Sequence, residues 1–76
     1  MPVVYRPFGR EISFTSHALS RCEERDLSAH KIAIDLAYVL DGTPRLSVHR
    51  RRLNGYIVVY ERTIGGAEVI TVWRKY

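Results

Sequence analysis

The sequence has one cysteine, no run of 18 consecutive apolar residues and no apolar signal core near its start. Cys22 has no partner for an internal disulfide, so we expect it to be a small buried residue. Without a long apolar run the sequence predicts no transmembrane helix and no membrane partner. The start from Met1 to Arg10 lacks the pattern of a secretory signal, which predicts a cytoplasmic protein.

Cysteine and histidine residues at the spacing of a metal site are also missing, as are internal repeats, linkers and low-complexity segments. We therefore expect no metal, no cofactor and a single domain over residues 1–76. A chain of 76 residues buries only about 60% of its unfolded surface, so its stability is marginal. A homodimer or a tightly bound partner would add to it.

Positive charge is concentrated in the second half of the chain. Residues 1–41 contain five Lys or Arg and six Asp or Glu, whereas residues 42–76 contain seven and two. Ten of the twelve basic residues are Arg, which binds phosphate in a bidentate manner better than Lys does. This charge suggests a polyanion partner, of which nucleic acid is the main candidate. The alternative is that a modest positive charge only aids solubility.

The segment from Thr15 to Arg25 carries the most distinctive pattern. Ser16 is a suitable N-cap, and the next nine residues contain neither Gly nor Pro, which predicts a helix over residues 17–25. On that helix, one stripe of about 100° holds four polar residues beside a small apolar seam. They are His17, Arg21, Glu24 and Arg25.

This stripe has two interpretations. In the first, Arg21, Glu24 and Arg25 form an ordinary solvated salt-bridge face. In the second, the stripe is a reactive site, because the helix dipole disfavours a protonated His17 in the first turn and leaves a neutral imidazole that can accept a proton near pH 7.

The rest of the chain predicts a second helix and three strands. Ser28 is an N-cap, and apolar residues at helical spacing continue to about residue 41, where Gly42 and Pro44 end the helix. Strands are expected near residues 46–52, 56–62 and 67–75, with a hairpin turn at Asn54-Gly55. Two helices followed by an antiparallel meander predict an α+β fold, in which the helices pack on a three- to four-stranded antiparallel sheet.

Residues on alternating strand positions indicate a possible binding face. In the last strand, strict alternation puts Val69, Thr71 and Trp73 on one face. Such a face can carry hydroxyl and aromatic groups, here Thr71, Tyr60 and Trp73. Plain β-propensity explains each of these residues individually. The predicted RNA-binding set is Arg50, Arg51, Arg52, Tyr60, Arg62 and Trp73.

The motif Phe14-Thr15-Ser16-His17-Ala18, followed by Arg21, Glu24-Arg25 and Leu27-Ser28, resembles a small bacterial family known as domain of unknown function 4258. The closing Val69-Ile70-Thr71-Val72 is similar to that family's last strand. The resemblance spans about residues 11–75. Through it the chain resembles the barnase–EndoU–colicin–RelE group of metal-independent ribonucleases and toxins. This kinship implies a helix pair followed by an antiparallel sheet, and it implies RNA cleavage by analogy of fold.

A reaction of this kind needs a base for the 2′-OH, an acid for the leaving 5′-oxygen and cations for the phosphorane. The residues assigned to it are His17, Arg21, Arg25 and Thr71. His49 is a weaker second histidine, since His49-Arg50-Arg51-Arg52 is more typical of an RNA-facing surface. Two alternatives need no catalysis: a nucleic-acid-binding module, and an interaction domain whose basic face binds an acidic antitoxin or immunity partner. A cleft that joins His17 to Thr71 would favour the enzyme.

Overall fold

Two helices and five strands make up the part of the chain that the structure, a computed structural model, describes: residues 3–40, 47–53 and 55–74. The predicted α+β class is confirmed, although two strands precede the helices. The elements in chain order are β1 (Val3–Tyr5), β2 (Glu11–Phe14), α1 (Ser16–Glu24), α2 (Ala29–Val39), β3 (Val48–Leu53), β4 (Tyr56–Arg62) and β5 (Gly66–Arg74).

Hydroxyl side chains cap both helices. The N-cap of α1 is Thr15 rather than the predicted Ser16, because the Thr15 Oγ1 accepts a hydrogen bond of 3.0 Å from the Ala18 N–H. Ser28 caps α2 as predicted and accepts from the Lys31 N–H at 3.2 Å. Each cap satisfies one of the N–H groups that a helix start leaves without a partner. The predicted helix end at Gly42 and Pro44 lies outside the described residues.

All five strands belong to one mixed sheet in the order β1-β2-β5-β4-β3. The antiparallel meander predicted for the last three strands is confirmed. The predicted three- to four-stranded, wholly antiparallel sheet is wrong, because β2 runs parallel to β5 and β1 adds an antiparallel edge strand. A parallel pair needs a long crossover connection, and the chain from α1 to β4 provides it.

The turn between β3 and β4 includes Gly55, whose φ of +89° is the left-handed conformation expected at a tight hairpin. Its predicted partner Asn54 lies outside the described residues. The predicted turn is therefore confirmed at Gly55.

The helices cover one face of the sheet, and the core lies between the two layers. Its largest members come from β2, from α2 with its C-cap Leu40, and from the adjacent strands β4 and β5. They are Ile12, Phe14, Ile32, Leu36, Leu40, Val58, Tyr60, Val69 and Val72, all at most 1% exposed.

A β-bulge in β5 changes the predicted alternation of side chains. Val69 is opposite Tyr60 and Thr71 is opposite Val59, so Ile70 has no partner in the ladder. Val69 and Val72 consequently both face the core, with 0% exposure. The prediction that Val69 shares a face with Thr71 is wrong, because an extra residue in one strand reverses the parity beyond it.

Candidate nucleic-acid interface

The sheet face opposite the helices, called the open face below, carries a cluster that we call the arginine–tryptophan face. The cluster is built on two adjacent positions of β4. Arg50 and Thr71 lie on either side of Val59, and Arg52 and Trp73 lie on either side of Ile57. Residues directly opposite in a ladder project to the same side of the sheet. The members of the face are Arg50, Arg52, Thr71 and Trp73.

Arg50 reaches across β4 to Trp73. Its guanidinium carbon lies 5.4 Å from the centroid of the indole ring, which is within the range of a cation–π interaction. Such a contact contributes about 0.5–1 kcal/mol at an exposed site, enough to bias the side chain toward this orientation. The pair thus places a cation over an aromatic ring on the open face.

Three of the six predicted RNA-binding residues lie elsewhere. Arg51 is exposed but alternates to the opposite side of β3, where it pairs with the buried Val58. The Tyr60 ring is only 1% exposed and lies 5.6 Å from the ring of His49. Both side chains face the helix side of the sheet because of strand alternation.

Arg62 is 7% exposed, and its guanidinium closes the β4–β5 turn. Its Nη1 donates hydrogen bonds of 2.7 Å to the carbonyl oxygens of Thr63 and Gly66. A buried guanidinium that satisfies turn carbonyls serves the fold, so neither Tyr60 nor Arg62 belongs to the open face.

Helix α1 lies along the C-terminal half of β5 and is attached to it at both ends. At the start of the helix, the Thr15 hydroxyl donates a hydrogen bond of 3.1 Å to the carbonyl oxygen of Ile70. At its end, the Arg74 guanidinium donates to the carbonyl oxygens of Arg25 and Asp26. The strand β2 pairs with β5 only from Gly66 to Val69, and α1 packs against β5.

The predicted polar stripe of α1 is connected by side-chain contacts. The Nε of Arg21 lies 3.5 Å from the Nε2 of His17, and its Nη1 forms an ion pair of 3.0 Å with Glu24. His17 and Glu24 are exposed.

Arg25 differs from Arg21 in its surroundings. It is half-buried, and its Nε is enclosed without a hydrogen-bond partner among the described residues. The opposite flank of α1, with Leu19 and Glu23, lines a groove toward Leu27 and Ala29 at the start of α2. The flank with His17, Arg21 and Arg25 therefore faces away from α2.

The α1 stripe and Thr71 both lie near β5, but the structure does not join them in one pocket. Thr71 follows Ile70, whose carbonyl holds the start of α1, yet Thr71 projects onto the open face. Three grooves stand out on the described surface, and neither His17 nor Thr71 lines any of them. His17, Arg21 and Arg25 thus lie on a helix flank, and Thr71 lies with the arginine–tryptophan face.

One feature of the open face did not stand out in the sequence. Glu61 and Glu68 are directly opposite each other in the β4–β5 ladder, and the bulge determines that they share a face with Thr71.

In the core, burial raises the pKa of the Cys22 thiol, which disfavours the nucleophilic thiolate. The prediction that Cys22 is a small buried residue is confirmed by its 3% exposure.

In the described ranges, no helix is long and apolar enough to cross a membrane. No group of three His, Cys, Asp or Glu side chains among the described residues has an arrangement that suits a metal ion. No family model, curated protein or solved structure matches the chain, so its likeness to domain of unknown function 4258 stays a resemblance.

Proposed function

We propose that this protein binds single-stranded RNA on the arginine–tryptophan face. The observation that carries the proposal is the position of the Arg50 guanidinium over the Trp73 ring, 5.4 Å from its centroid. Aromatic rings and guanidinium planes stack on unpaired bases, while guanidinium groups also bind phosphate. A combination of an exposed arginine and a half-buried tryptophan at one place is suited to a chain with free bases.

The geometry supports a single strand rather than a duplex. Bases in a duplex are stacked on each other and expose no ring face to Trp73. A stacked base contributes about 1–3 kcal/mol, which exceeds the value of one solvated phosphate contact. Arg52 and Thr71 flank the pair and provide further donors for the backbone of the same strand.

The test compares two arginines on the open face with their neighbour on the other face. Affinity for a single-stranded RNA should fall by about 0.7 log unit per log unit of salt for each phosphate contact. Replacing Arg50 and Arg52 with Ala should reduce that slope by about 1.4. Arg51→Ala is the matched control, because Arg51 lies between them in the chain but projects to the opposite side of the sheet.

Equal effects of Arg51→Ala and the single changes Arg50→Ala and Arg52→Ala would contradict a binding site on the open face. If the salt dependence of RNA affinity is unchanged in the double variant, the two arginines are solvated side chains that do not contact phosphate. Circular dichroism of each variant establishes that the fold is retained.

A second candidate function is metal-independent cleavage of the bound RNA, and the contact of His17 with Arg21 favours it. In this reaction the 2′-oxygen attacks the adjacent phosphorus while a base removes its proton. The bond from phosphorus to the 5′-oxygen breaks, and an acid protonates the leaving oxygen. His17 is proposed for one of these proton transfers, with Arg21 and Arg25 neutralising the phosphorane. The products are a 2′,3′-cyclic phosphate and a free 5′-hydroxyl.

His17→Ala should slow cleavage by about two orders of magnitude or more, because it removes a proton-transfer group. Arg21→Lys should also be costly, since an ammonium group lacks the planar fork of guanidinium. His30→Ala is the control, as His30 is another exposed helical histidine and lies on α2. Cleavage should persist in chelator. If the wild-type protein binds RNA without cleaving it, the binding function stands and the catalytic one fails.

A further inference from the structure

The open face carries a second charged cluster, which we call the acidic pair: Glu61 on β4 and Glu68 on β5. The two residues are directly opposite each other in the ladder. Like charges at such positions repel and destabilise a sheet. Neither carboxylate forms an ion pair with a described residue, so the repulsion is not relieved by a cation among them.

The acidic pair and the arginine–tryptophan face lie at opposite ends of the same surface. Glu61 is four residues from Ile57, the β4 residue that separates Arg52 from Trp73. At about 3.3 Å per residue, the two rows are roughly 13 Å apart along the strand. The open face is therefore negative at one end and positive at the other.

This arrangement is complementary to a reversed copy of itself. A two-fold axis that crosses the strands at the level of Val59 and lies between two stacked sheets reverses the strand direction. Each acidic pair then faces Ile57 and Trp73 on the other copy, where the Arg50 guanidinium lies over the Trp73 ring and Arg52 flanks Ile57. Both ion-pair sets form at once, because a two-fold interface uses every contact twice and closes at a dimer.

Exposed apolar side chains on the open face also suit such a contact. Val48, which is opposite Glu61, is 60% exposed, and Val4 on β1 is 42% exposed. Apolar side chains at these positions would be covered by a second sheet.

We propose that the partner of the open face is a second copy of this chain, packed sheet to sheet and reversed, with each acidic pair on the arginines of the other copy. This dimer and single-stranded RNA use the same arginines, so they exclude each other. Self-association by itself does not depend on the proposed function, and only the competition with RNA rests on it.

The experiment measures self-association by sedimentation equilibrium without RNA, from micromolar to millimolar protein. The wild-type chain should dimerise at low salt and dissociate as salt screens the ion pairs. Changing Glu61 and Glu68 to Arg gives an all-basic face, and changing Arg50 and Arg52 to Glu gives an all-acidic one. Each variant alone should self-associate about 100-fold more weakly, because like charges then meet.

A mixture of the two variants should recover a heterodimer, which also establishes that both are folded. The control changes Glu23 on α1 to Arg, which adds positive charge away from the open face. That control should dimerise as the wild type does. A wild-type chain that stays monomeric at millimolar concentration, or a mixture without heterodimer, overturns the proposal.

Addition of a short oligouridine to the wild-type dimer is measured separately. Release of monomer bound to RNA supports the exclusion. If the dimer forms and RNA binds it without dissociation, the exclusion is overturned, although the dimer stands.

Discussion

The hydroxyl of Tyr56 donates a hydrogen bond of 3.0 Å to the Oδ2 of Asp35, which joins the start of β4 to α2. Tyr56 is 3% exposed, and the same carboxylate oxygen lies 3.3 Å from the Nζ of Lys31. Burial raises the pKa of Tyr56 above its ordinary value, and the hydrogen bond and negative charge of Asp35 raise it further. The neutral phenol is therefore strongly favoured in the folded protein.

This raised pKa predicts a loss of stability at alkaline pH. In the unfolded chain Tyr56 ionises near pH 10, whereas in the folded chain it keeps its proton. The stabilisation is complete below about pH 10 and declines as the pH rises above it, because only the unfolded state then releases the proton. Urea unfolding between pH 8 and pH 11 should show this decline in the wild type, and a smaller decline in Tyr56→Phe. Tyr38→Phe, at a position 72% exposed, should behave like the wild type.

Trp73 is the single tryptophan of the chain, so its fluorescence reports directly on the arginine–tryptophan face. Stacking of a base on its ring should quench the emission when single-stranded RNA is added. Arg50→Ala should weaken the binding detected in this way, because it removes the cation beside the ring. Arg51→Ala should leave the titration unchanged. Binding of RNA without any change in Trp73 emission would argue against stacking at this ring.

Gly66 is required by the parallel pairing of β2 with β5. A Cβ atom there would lie 2.6 Å from the carbonyl carbon and 2.7 Å from the nitrogen of Glu11, and neither backbone atom can move without breaking the pair. We expect Gly66→Ala to lower the free energy of unfolding by about 3 kcal/mol, the upper end of typical overpacking costs. Gly65→Ala is the control, since nothing lies within 4 Å of its Cβ position. Similar urea midpoints for the two variants would be inconsistent with this close approach.

Thr15 has two roles, as the cap of α1 and as the donor to the bulge residue Ile70. Thr15→Val keeps the shape of the side chain and removes both hydrogen bonds. A lost cap costs about 0.5–2 kcal/mol, and a lost hydrogen bond about 0.5–1.5 kcal/mol. We expect a combined loss of about 2 kcal/mol in urea unfolding, while Ser16→Ala should change stability by less than about 0.5 kcal/mol. A larger effect at Ser16 would restore the cap predicted from the sequence.

The α1 stripe, and the shared face of three of the six residues predicted to bind RNA, were predictable from local pattern alone. Helical spacing correctly grouped His17, Arg21 and Glu24, because a helix repeats its geometry every 3.6 residues whatever surrounds it. The arginines of β3 were predicted as one cluster, yet strand alternation separates Arg51 from the other two. Alternation separates Arg51 from its two neighbours, but it does not say which of the two sets faces the helices. That depends on how β3 is placed in the sheet, and the sequence of β3 does not contain that information.

The sequence by itself determined the two helices, the order of the last three strands and the capping of α2 by Ser28, since all of these follow from interactions between near neighbours. Only the tertiary structure decided the parallel pairing of β2 with β5, the bulge at Ile70 and the inward direction of Tyr60 and Arg62. These depend on contacts between residues distant in the chain. One unpaired residue in β5 is enough to move Val69 into the core and to bring Glu68 onto the face of Thr71, because strand parity reverses at every inserted residue.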